Sequence, residues 1–331
     1  MATMDDIARQ TGVSKGTVSR ALRQDPTLSI TEETRDRIFK AAEELGYHLK
    51  KERLLSYTCN LAVIHKESHF LNQIDNAFYF SVRYGIEMMC HEKRVQFTFI
   101  PYNLLERQPI SYDGLIMIGG YTKEQMQYVR DLAKTIPCVH VGKCNYCPND
   151  FDCVSSDVRD SVYQAMDALN EAGEKKILYL GGQDIDGIGE EYRKSHFFTK
   201  YITEHEHMSC AGIVEGSHGS ESGYCMMKNW LNNHDVLPDG IFVSNDPIAI
   251  GAIRALNENG IAVPGDVSVI GLNGDTPGEM TSPPLATVDV HTMEMGKEAV
   301  KLLMERIETK SSIRKKIMFQ ATLIRRKSIK G

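Results

Sequence analysis

Hydroxyl-bearing and basic side chains are concentrated in residues 12–23, which read G-V-S-K-G-T-V-S-R-A-L-R. Such side chains contact the phosphates and base edges of DNA. This stretch therefore predicts a DNA interface. Gly16, within it, has no side chain with which to contact a base. The candidate contacts, with one hydroxyl from further upstream, are Thr3, Ser14, Lys15, Gly16, Thr17, Ser19, Arg20 and Arg23.

Two short helices are predicted to position these groups. Ser14 is a favourable N-cap, and Val18, Ala21 and Leu22 then fall on one helical face. Thr3 caps an earlier amphipathic run, and Gly12 supplies the turn between the two. This pattern predicts a helix-turn-helix whose second helix enters a major groove, with a plain helical hairpin as the alternative.

A third helix is predicted to close the core of this N-terminal unit. It runs from Glu32 to Leu45, with Thr31 as its N-cap and Gly46 after its end. The apolar residues of one face recur at helical spacing and should cover the first two helices. These residues are Ile38, Ala41, Ala42 and Leu45, opposite Ile7, Val13 and Val18.

Signatures of catalysis and nucleotide binding are absent from the sequence. It contains no G-x-x-x-x-G-K-[ST] and no H-E-x-x-H. We therefore expect neither enzymatic activity nor a cofactor. One cluster could bind a metal ion and consists of His140, Cys144, Cys147 and Cys153. The alternative is that these cysteines have no such role, and we expect the cysteines to be free thiols.

The remainder of the chain alternates short apolar runs with helical patterns, which is typical of parallel sheets with crossover helices. Strands are predicted at 61–64, 96–100, 114–118, 138–141, 176–180, 211–214, 240–243, 268–270 and 286–288. Helices are predicted at 78–93, 122–135, 159–172, 191–205, 221–233, 246–258 and 291–307. These units are too numerous for one compact sheet.

Length and charge agree with a small basic unit joined to a larger core. The chain has 331 residues and a formal net charge of −6, so basic character is local rather than spread over the surface. No apolar run is long enough to span a membrane, and no export signal begins the sequence. We expect a cytoplasmic protein with no membrane association.

The motif T-M-D-D-I-A-R-Q-T-G-V-S-K-G-T-V-S-R-A-L resembles the signature of the lactose/galactose repressor family of bacterial transcription factors, and T-E-E-T-R-D-R-I-F-K-A-A-E-E-L-G-Y extends the resemblance. The resemblance implies a headpiece (1–46), a hinge helix (47–58) and an effector-binding and dimerisation core (59–331). The core would be a two-lobed α/β fold like that of periplasmic binding proteins. Lobe one would comprise 60–158 and 289–315, and lobe two 159–288 and 316–331.

The resemblance also implies roles for the linker and for several polar residues. Leu55, or otherwise Leu54, would wedge into the minor groove of the operator, unless residues 47–58 form a plain linker. The sugar-binding positions of relatives, which lie at strand ends or helix starts, match Asp157, Arg193, Asn245, Asp246 and Asn273. Phe78 or Tyr79 would lie under the sugar ring. Asp157 and Asp246 could instead be helix caps, and Arg193 a surface ion pair.

The stretches D-N-A-F-Y-F-S-V-R-Y-G-I-E and S-V-I-G-L-N-G-D resemble the branch of the family that contains the evolved β-galactosidase repressor. The expectation is a homodimeric repressor that binds a pseudo-palindromic double-stranded DNA operator and is released by galactose or a galactoside. The alternatives are control by a protein or purine corepressor, and a pure sugar-binding protein. The sequence does not decide between induction and corepression.

Overall fold

The computed structural model describes residues 3–22, 28–45, 47, 59–66, 74–105, 111–142, 150–183 and 193–331. The chain divides into two compact units, residues 1–57 and 58–331. In the part of the chain so described, no helix is both long and apolar enough to cross a membrane.

The N-terminal unit contains three helices, α1 (Met4–Thr11), α2 (Lys15–Leu22) and α3 (Glu32–Glu44). The backbone of Gly12 is left-handed (φ 70°) and ends α1, which confirms the predicted turn. The Oγ1 atom of Thr31 accepts a hydrogen bond from the amide of Thr34, as expected of a cap for α3. The predicted helix-turn-helix is therefore formed.

The core of this unit is small and apolar. Its buried members are Ile7, Val18, Ala21, Leu22, Ile38, Ala41 and Ala42. Val13 packs against them from a partly buried position. Leu45 was predicted to join this core, but α3 ends one residue before it and Leu45 is 36% exposed. Of the apolar residues predicted for this face of α3, Leu45 lies outside the core, and Ile38, Ala41 and Ala42 lie within it.

The second unit contains two six-stranded sheets, each in its own lobe. The first sheet has the spatial order β11 (Lys316–Phe319), β5 (Asp152–Ser156), β4 (Cys138–Val141), β3 (Gly114–Ile118), β1 (Asn60–His65) and β2 (Gln96–Pro101). The second has the order β12 (Thr322–Ile324), β10 (Ala286–Asp289), β9 (Ser268–Asn273), β8 (Gly240–Val243), β6 (Lys176–Gly182) and β7 (Ser209–Gly216). All pairings are parallel except that of β10 with β12.

Helices cover both sheets, as parallel sheets require. The first lobe carries α4 (Ala77–Lys93), α5 (Tyr102–Leu105), α6 (Lys123–Leu132) and α11 (Thr292–Thr309). The second carries α7 (Val158–Glu171), α8 (Lys194–Glu204), α9 (Ser220–Asn233), α10 (Asp246–Glu258) and a short 3-10 helix (Thr276–Met280). This is the two-lobed α/β architecture that the sequence predicts, and each predicted strand and helix is present within a few residues.

Three strands, β5, β11 and β12, escaped prediction. The sequence of β5 is D-C-V-S-S, in which polar residues outnumber apolar ones, although four of its five residues are buried. Its neighbour β11 lies in the C-terminal tail, where basic residues obscure the apolar alternation.

Because β11 pairs with β5, residues 316–319 belong to the first lobe, which corrects their assignment to lobe two. The described chain thus crosses between the lobes after β5, after β10 and after β11.

A buried ion pair fixes the connection from α11 to β11 within the first lobe. The guanidinium of Arg306, near the end of α11, donates to both carboxylate oxygens of Asp152 at 2.6 and 2.5 Å. It also donates to the carbonyls of Ser311 and Ile313, in the connection from α11 to β11. The carboxylate of Asp152 accepts a further bond from the amide of Lys315 (2.7 Å). One pair therefore joins α11, β5 and the start of β11.

Replacing Arg306 with leucine should destabilise the second unit strongly. Asp152 is fully buried, and removing the partner of a buried charge typically costs about 3–5 kcal/mol. Urea denaturation of the full chain, followed by circular dichroism, measures this loss of unfolding free energy. Arg254→Leu is the matched control, since Arg254 pairs with Glu258 on the surface and its loss should change little. Equal midpoints for the two variants would contradict the assigned role of Arg306.

Candidate functional site

The polar face of α2 is formed by residues around its N-terminus. The Oγ atom of Ser14 accepts a hydrogen bond from the amide of Thr17 (3.1 Å), and the two hydroxyl groups lie 2.8 Å apart. Lys15, Gly16 and Arg20 are exposed, whereas Thr17 and Ser19 are half-buried. Since Val18 on the opposite face is fully buried, the helix is anchored by its apolar side and presents its polar side outward.

Two further contacts define this surface. Thr3 and Asp6 form a capping box at the start of α1, and the hydrogen bonds from Thr3 lower the pKa of the Asp6 carboxyl group. The ammonium group of Lys15 lies 2.6 Å from a carboxylate oxygen of Asp5, with both side chains more than half exposed. An exposed pair of this kind is weak, so Lys15 can exchange Asp5 for a phosphate. The candidates Arg23, Leu54 and Leu55 lie outside the described residues.

Gly16 is not required by the packing of α2. A Cβ atom at this position would meet only the Oγ of Ser14, at an ordinary 3.7 Å. The packing of α2 would therefore tolerate a side chain at position 16, and the glycine leaves this part of the exposed face without one.

In the second unit, a cavity of about 460 Å³ lies between the lobes. The first lobe contributes the beginning of α4 and of α11, and the second contributes the loop after β9. The residues that line it are Ala77, Phe80, Ser81, Gly274, Asp275, Thr276, Pro277 and Thr292. A volume of this size lies in the range of small-molecule sites, and the wall combines one aromatic ring with three hydroxyl groups and one carboxyl group.

The loop that carries Asp275 is held from behind by Asp246. Asp246 is fully buried, and its two carboxylate oxygens accept hydrogen bonds from the Asp275 amide and the Thr287 hydroxyl group, both at 2.7 Å. A Cβ atom on Gly271 would overlap the Asp246 carboxylate, so β9 needs a glycine there. The structure places Asp246 behind the cavity wall, which corrects our prediction that it grips ligand hydroxyl groups directly.

Other predicted positions lie around this loop rather than in the described cavity lining. The amide group of Asn273, whose backbone has φ 131°, donates to the Asp275 carboxylate (3.1 Å). Asn245 caps α10 through the amide of Ile248 (2.8 Å), and its Nδ2 atom lies 3.3 Å from the His218 ring. Of these two residues, Asn273 contacts a residue that lines the cavity, Asp275.

Arg193 and Asp157 occupy helix starts, as predicted. The buried Nε atom of Arg193, at the N-cap of α8, has no hydrogen-bond partner among the described residues. Asp157 caps α7 by accepting a bond from the amide of Asp160 (3.0 Å), which is the alternative role predicted for it. An unpartnered guanidinium nitrogen is a candidate donor to a ligand, whereas the Asp157 carboxylate already has a structural use.

The aromatic residues are arranged differently from the prediction. Phe78 packs against the apolar cores of both lobes, and Tyr79 contacts that of the first lobe. Their rings meet edge to face with centroids 5.3 Å apart. The described wall of the cavity contains Phe80 instead, the next residue along α4.

Phe80, Ser81, Asp275 and Thr292 were not predicted as site residues. Asp275 follows Asn273 by two positions, so the polar run after β9 was a usable signal. Ser81 and Thr292 are 211 positions apart and are joined only by the packing of α4 on α11, where their hydroxyl groups lie 2.7 Å apart. This contact depends on Gly85, since a Cβ there would overlap the carbonyl of Met293. No local pattern reveals it.

Two neighbouring buried carboxyl groups, Asp275 in the cavity wall and Asp246 behind it, repel one another. Burial is the main cause that raises the pKa of Asp246, and the pKa of Asp275 is raised to about 8 by burial and by the nearby Asp246. The Asn273 amide and the Lys194 ammonium oppose the shift of Asp275. Lys194 itself donates to the carbonyl of Ser244 (2.6 Å). At neutral pH Asp275 therefore retains a proton that a free aspartate would have lost.

The four candidate metal ligands lie partly outside the described residues. Within the described ranges, no group of three or more His, Cys, Asp or Glu side chains could hold a metal ion. Cys144 and Cys147 lie outside those ranges, and Cys153 is disulfide-bonded, which corrects the expectation of a free thiol there. The buried His140 ring bonds to the carbonyl of Gly119 (2.7 Å), and burial lowers its pKa.

Asp275→Asn should reduce the pH dependence of stability. Folding raises the pKa of the Asp275 carboxyl group from 3.8 to about 8. The protonated group therefore stabilises the folded state fully at a pH below 3.8, and this stabilisation is lost as the pH rises towards about 8. The unfolding free energy should therefore fall less between pH 5 and pH 8 in the variant than in the unmodified protein. Fluorescence of Trp230, the single tryptophan, reports urea unfolding of the second lobe.

The control is Asp235→Asn, which makes the same charge change at an exposed position. It should leave the pH dependence of the unmodified protein in place. If Asp275→Asn behaves like Asp235→Asn, Asp275 does not retain its proton in the folded protein at neutral pH.

Two family models match the chain. Residues 3–49 match the model described as bacterial regulatory proteins, lacI family, and residues 166–329 match the periplasmic binding protein-like domain. The first matched segment contains the three helices of the N-terminal unit, and the second contains most of the second lobe.

Individual relatives extend the similarity over nearly the whole chain. The transcriptional regulator GalR of Streptococcus thermophilus is 35% identical over 92% of both chains. GalR of Lacticaseibacillus casei is 33% identical over 99% of both. Among solved structures, a complex of the transcriptional regulator CelR with cellobiose has a TM-score of 0.72, covers 99% of this chain and 100% of its own, and is 24% identical, which supports the fold. The helix-turn-helix, the two-lobed core and these identities together show that the chain belongs to the lacI family of bacterial regulatory proteins.

Proposed function

We propose that this chain is a cytoplasmic, homodimeric transcriptional repressor that binds a pseudo-palindromic operator and is released by a galactose-containing sugar. The observation that carries the proposal is the polar cavity between the lobes, in a chain whose other unit is a helix-turn-helix. One unit offers a DNA-binding surface, and the other a pocket that a small ligand can fill.

The DNA step rests on α2. Lys15, Thr17 and Arg20 on its outward side have the chemistry for bidentate contacts to guanine and for phosphate contacts. One helix-turn-helix covers one half-site, so a palindromic operator requires two copies of the chain. Residues 47–58, with Leu55 or Leu54 as the minor-groove wedge, complete the proposed interface; this part of the proposal rests on the family resemblance.

The sugar step rests on the wall of the cavity. Sugar hydroxyl groups both donate and accept hydrogen bonds, and the lining offers a carboxyl group on Asp275 and hydroxyl groups on Ser81 and Thr292. The ring of Phe80 can cover the apolar face of a sugar. The unpartnered Nε of Arg193 is a further candidate donor. Relatives named GalR favour a galactose-containing ligand.

Release requires that the sugar favour one lobe arrangement over another. Because the cavity wall is shared between the lobes, a bound ligand contacts both. A coupling free energy of about 1–3 kcal/mol between this cavity and the DNA-binding units would change operator affinity about 5- to 150-fold.

Arg20→Ala should weaken operator binding by about 1–3 kcal/mol and relax base preference, because a bidentate base contact is lost. The measurement is fluorescence anisotropy with an operator duplex and with variants of each base pair at physiological salt. Arg37→Ala is the matched control, since Arg37 is an exposed arginine of α3, outside the recognition helix. Equal affinity of the unmodified protein for operator and random duplex would refute the proposed sequence-specific recognition.

Arg193→Ala and Asp246→Ala should each give a protein that still binds operator but no longer responds to sugar. The first removes a donor that has no hydrogen-bond partner among the described residues, and the second releases the loop that carries Asp275. A buried polar group left unpaired costs about 1–3 kcal/mol, which is how such a site selects among sugars. Calorimetry with galactose and lactose measures binding, and anisotropy measures operator release.

Asp131→Ala, which changes an exposed carboxylate of α6, should respond normally. If no sugar binds to the unmodified protein at millimolar concentration, the cavity is not a sugar site. A protein or purine corepressor then becomes the better interpretation, and screening both classes by the same calorimetry would identify it.

A further inference from the structure

A carboxylate of the first lobe lies at the N-terminus of a helix in the second lobe. The Oδ1 atom of Asp75, in the turn before α4, accepts a hydrogen bond of 2.8 Å from the backbone amide of Ser220, the first residue of α9. This contact is separate from the three chain crossings, and 145 positions separate the two residues. It therefore joins the lobes through side-chain chemistry rather than through covalent connection.

The contact provides a hydrogen-bond acceptor for an N-terminal amide of α9. The first N–H groups of an α-helix have no partner within the helix, and the N-terminal end of the helix dipole favours negative charge. No side chain of the N-cap residue, Gly219, is available to accept these hydrogen bonds. A carboxylate from the opposite lobe takes the place of a local cap.

Gly219 permits this approach. Its backbone lies at φ 131°, a conformation that other residues rarely adopt, and a Cβ atom there would lie 3.1 Å from the Oδ2 of Asp75. Both the conformation and the proximity to Asp75 favour glycine. The sequence H-G-S at the start of α9 is thus shaped to receive a group from outside the lobe.

Both ends of the contact are attached to rigid elements. On the second lobe, α10 packs so closely on α9 that a Cβ on Gly251 would overlap the carbonyl oxygen of Ser220. On the first lobe, Asp75 directly precedes α4, whose residues Ala77, Phe80 and Ser81 line the cavity. A change in the distance between Asp75 and α9 must therefore accompany a change in the width of the cleft.

We propose that Asp75 is an interlobe latch that stabilises the closed cleft and so sets the affinity for the ligand of the cavity. The effect on the ligand rests on the proposed function, whereas the effect on lobe arrangement does not. A ligand that contacts both lobes binds the closed arrangement better, so any interaction that favours closure raises its apparent affinity. Loosening the latch should raise the sugar concentration needed for release from the operator.

The test compares Asp75→Ala, Asp75→Asn and the control Thr122→Ala in the full-length chain. Alanine removes both the charge and the acceptor, whereas the asparagine amide oxygen can still accept the bond from Ser220. Thr122 caps α6 through the amide of Gln125, entirely within the first lobe. The control thus loses a helix cap of the same lobe without touching the cleft.

Hydrogen-exchange mass spectrometry of the Ser220 amide and small-angle X-ray scattering test the latch without any ligand. Asp75→Ala should accelerate exchange at Ser220 and increase the radius of gyration, Asp75→Asn should lie between it and the unmodified protein, and Thr122→Ala should change neither. Faster exchange at Ser220 with an unchanged scattering curve would make Asp75 a local cap and overturn the proposal. Unchanged exchange would overturn it as well.

Calorimetry with lactose then tests the effect on the ligand. The dissociation constant should rise at least about 5-fold in Asp75→Ala, the lower end of typical coupling between sites, and less in Asp75→Asn. An unchanged constant in a variant whose lobes have opened would refute the link between latch and affinity. If the unmodified protein binds no lactose, it is the proposed sugar that fails, and the scattering result alone decides the latch.

Discussion

The Asp246 carboxylate determines the shape of the cleft on its second-lobe side. It is fully buried at the start of α10, yet its two oxygens reach the amide of Asp275 and the hydroxyl group of Thr287 on β10. A buried charge is costly unless it is satisfied in this way, so α10, β9 and β10 can assemble only with the loop after β9 in this position. The position of Asp275 in the cavity wall follows from that requirement.

The first lobe reaches the same cavity by a different route. The close packing of α4 on α11 brings Ser81 and Thr292 together at the ends of the two helices. The buried pair of Arg306 and Asp152 fixes the other end of α11 against β5. The cavity is therefore lined by two walls that are each fixed to their own lobe.

The sequence was sufficient for the architecture because its strongest signals are local. The capped helix around Ser14 and the apolar runs of β1, β3 and β8 need no tertiary information to be recognised. β5 and β11 escaped prediction because their burial comes from sheet pairing and not from an apolar pattern. The cavity shows the same limit: Asn273 and Arg193 lie at the predicted strand and helix ends but are not among the described lining residues. The lining residues Ser81 and Thr292 meet only through helix packing. Asp246 was identified as important, yet burial gives it a supporting role that the residue type alone cannot reveal.

The central claim is that a ligand in the interlobe cavity controls DNA binding by the helix-turn-helix. The most direct measurement is a titration of lactose into a preformed complex of the unmodified protein with a fluorescent operator duplex, followed by anisotropy. The account predicts that the operator dissociation constant rises about 5- to 150-fold at saturating sugar, while binding to random duplex changes little. A complex that stays intact at millimolar lactose and galactose, although calorimetry shows the sugar bound, would contradict the account.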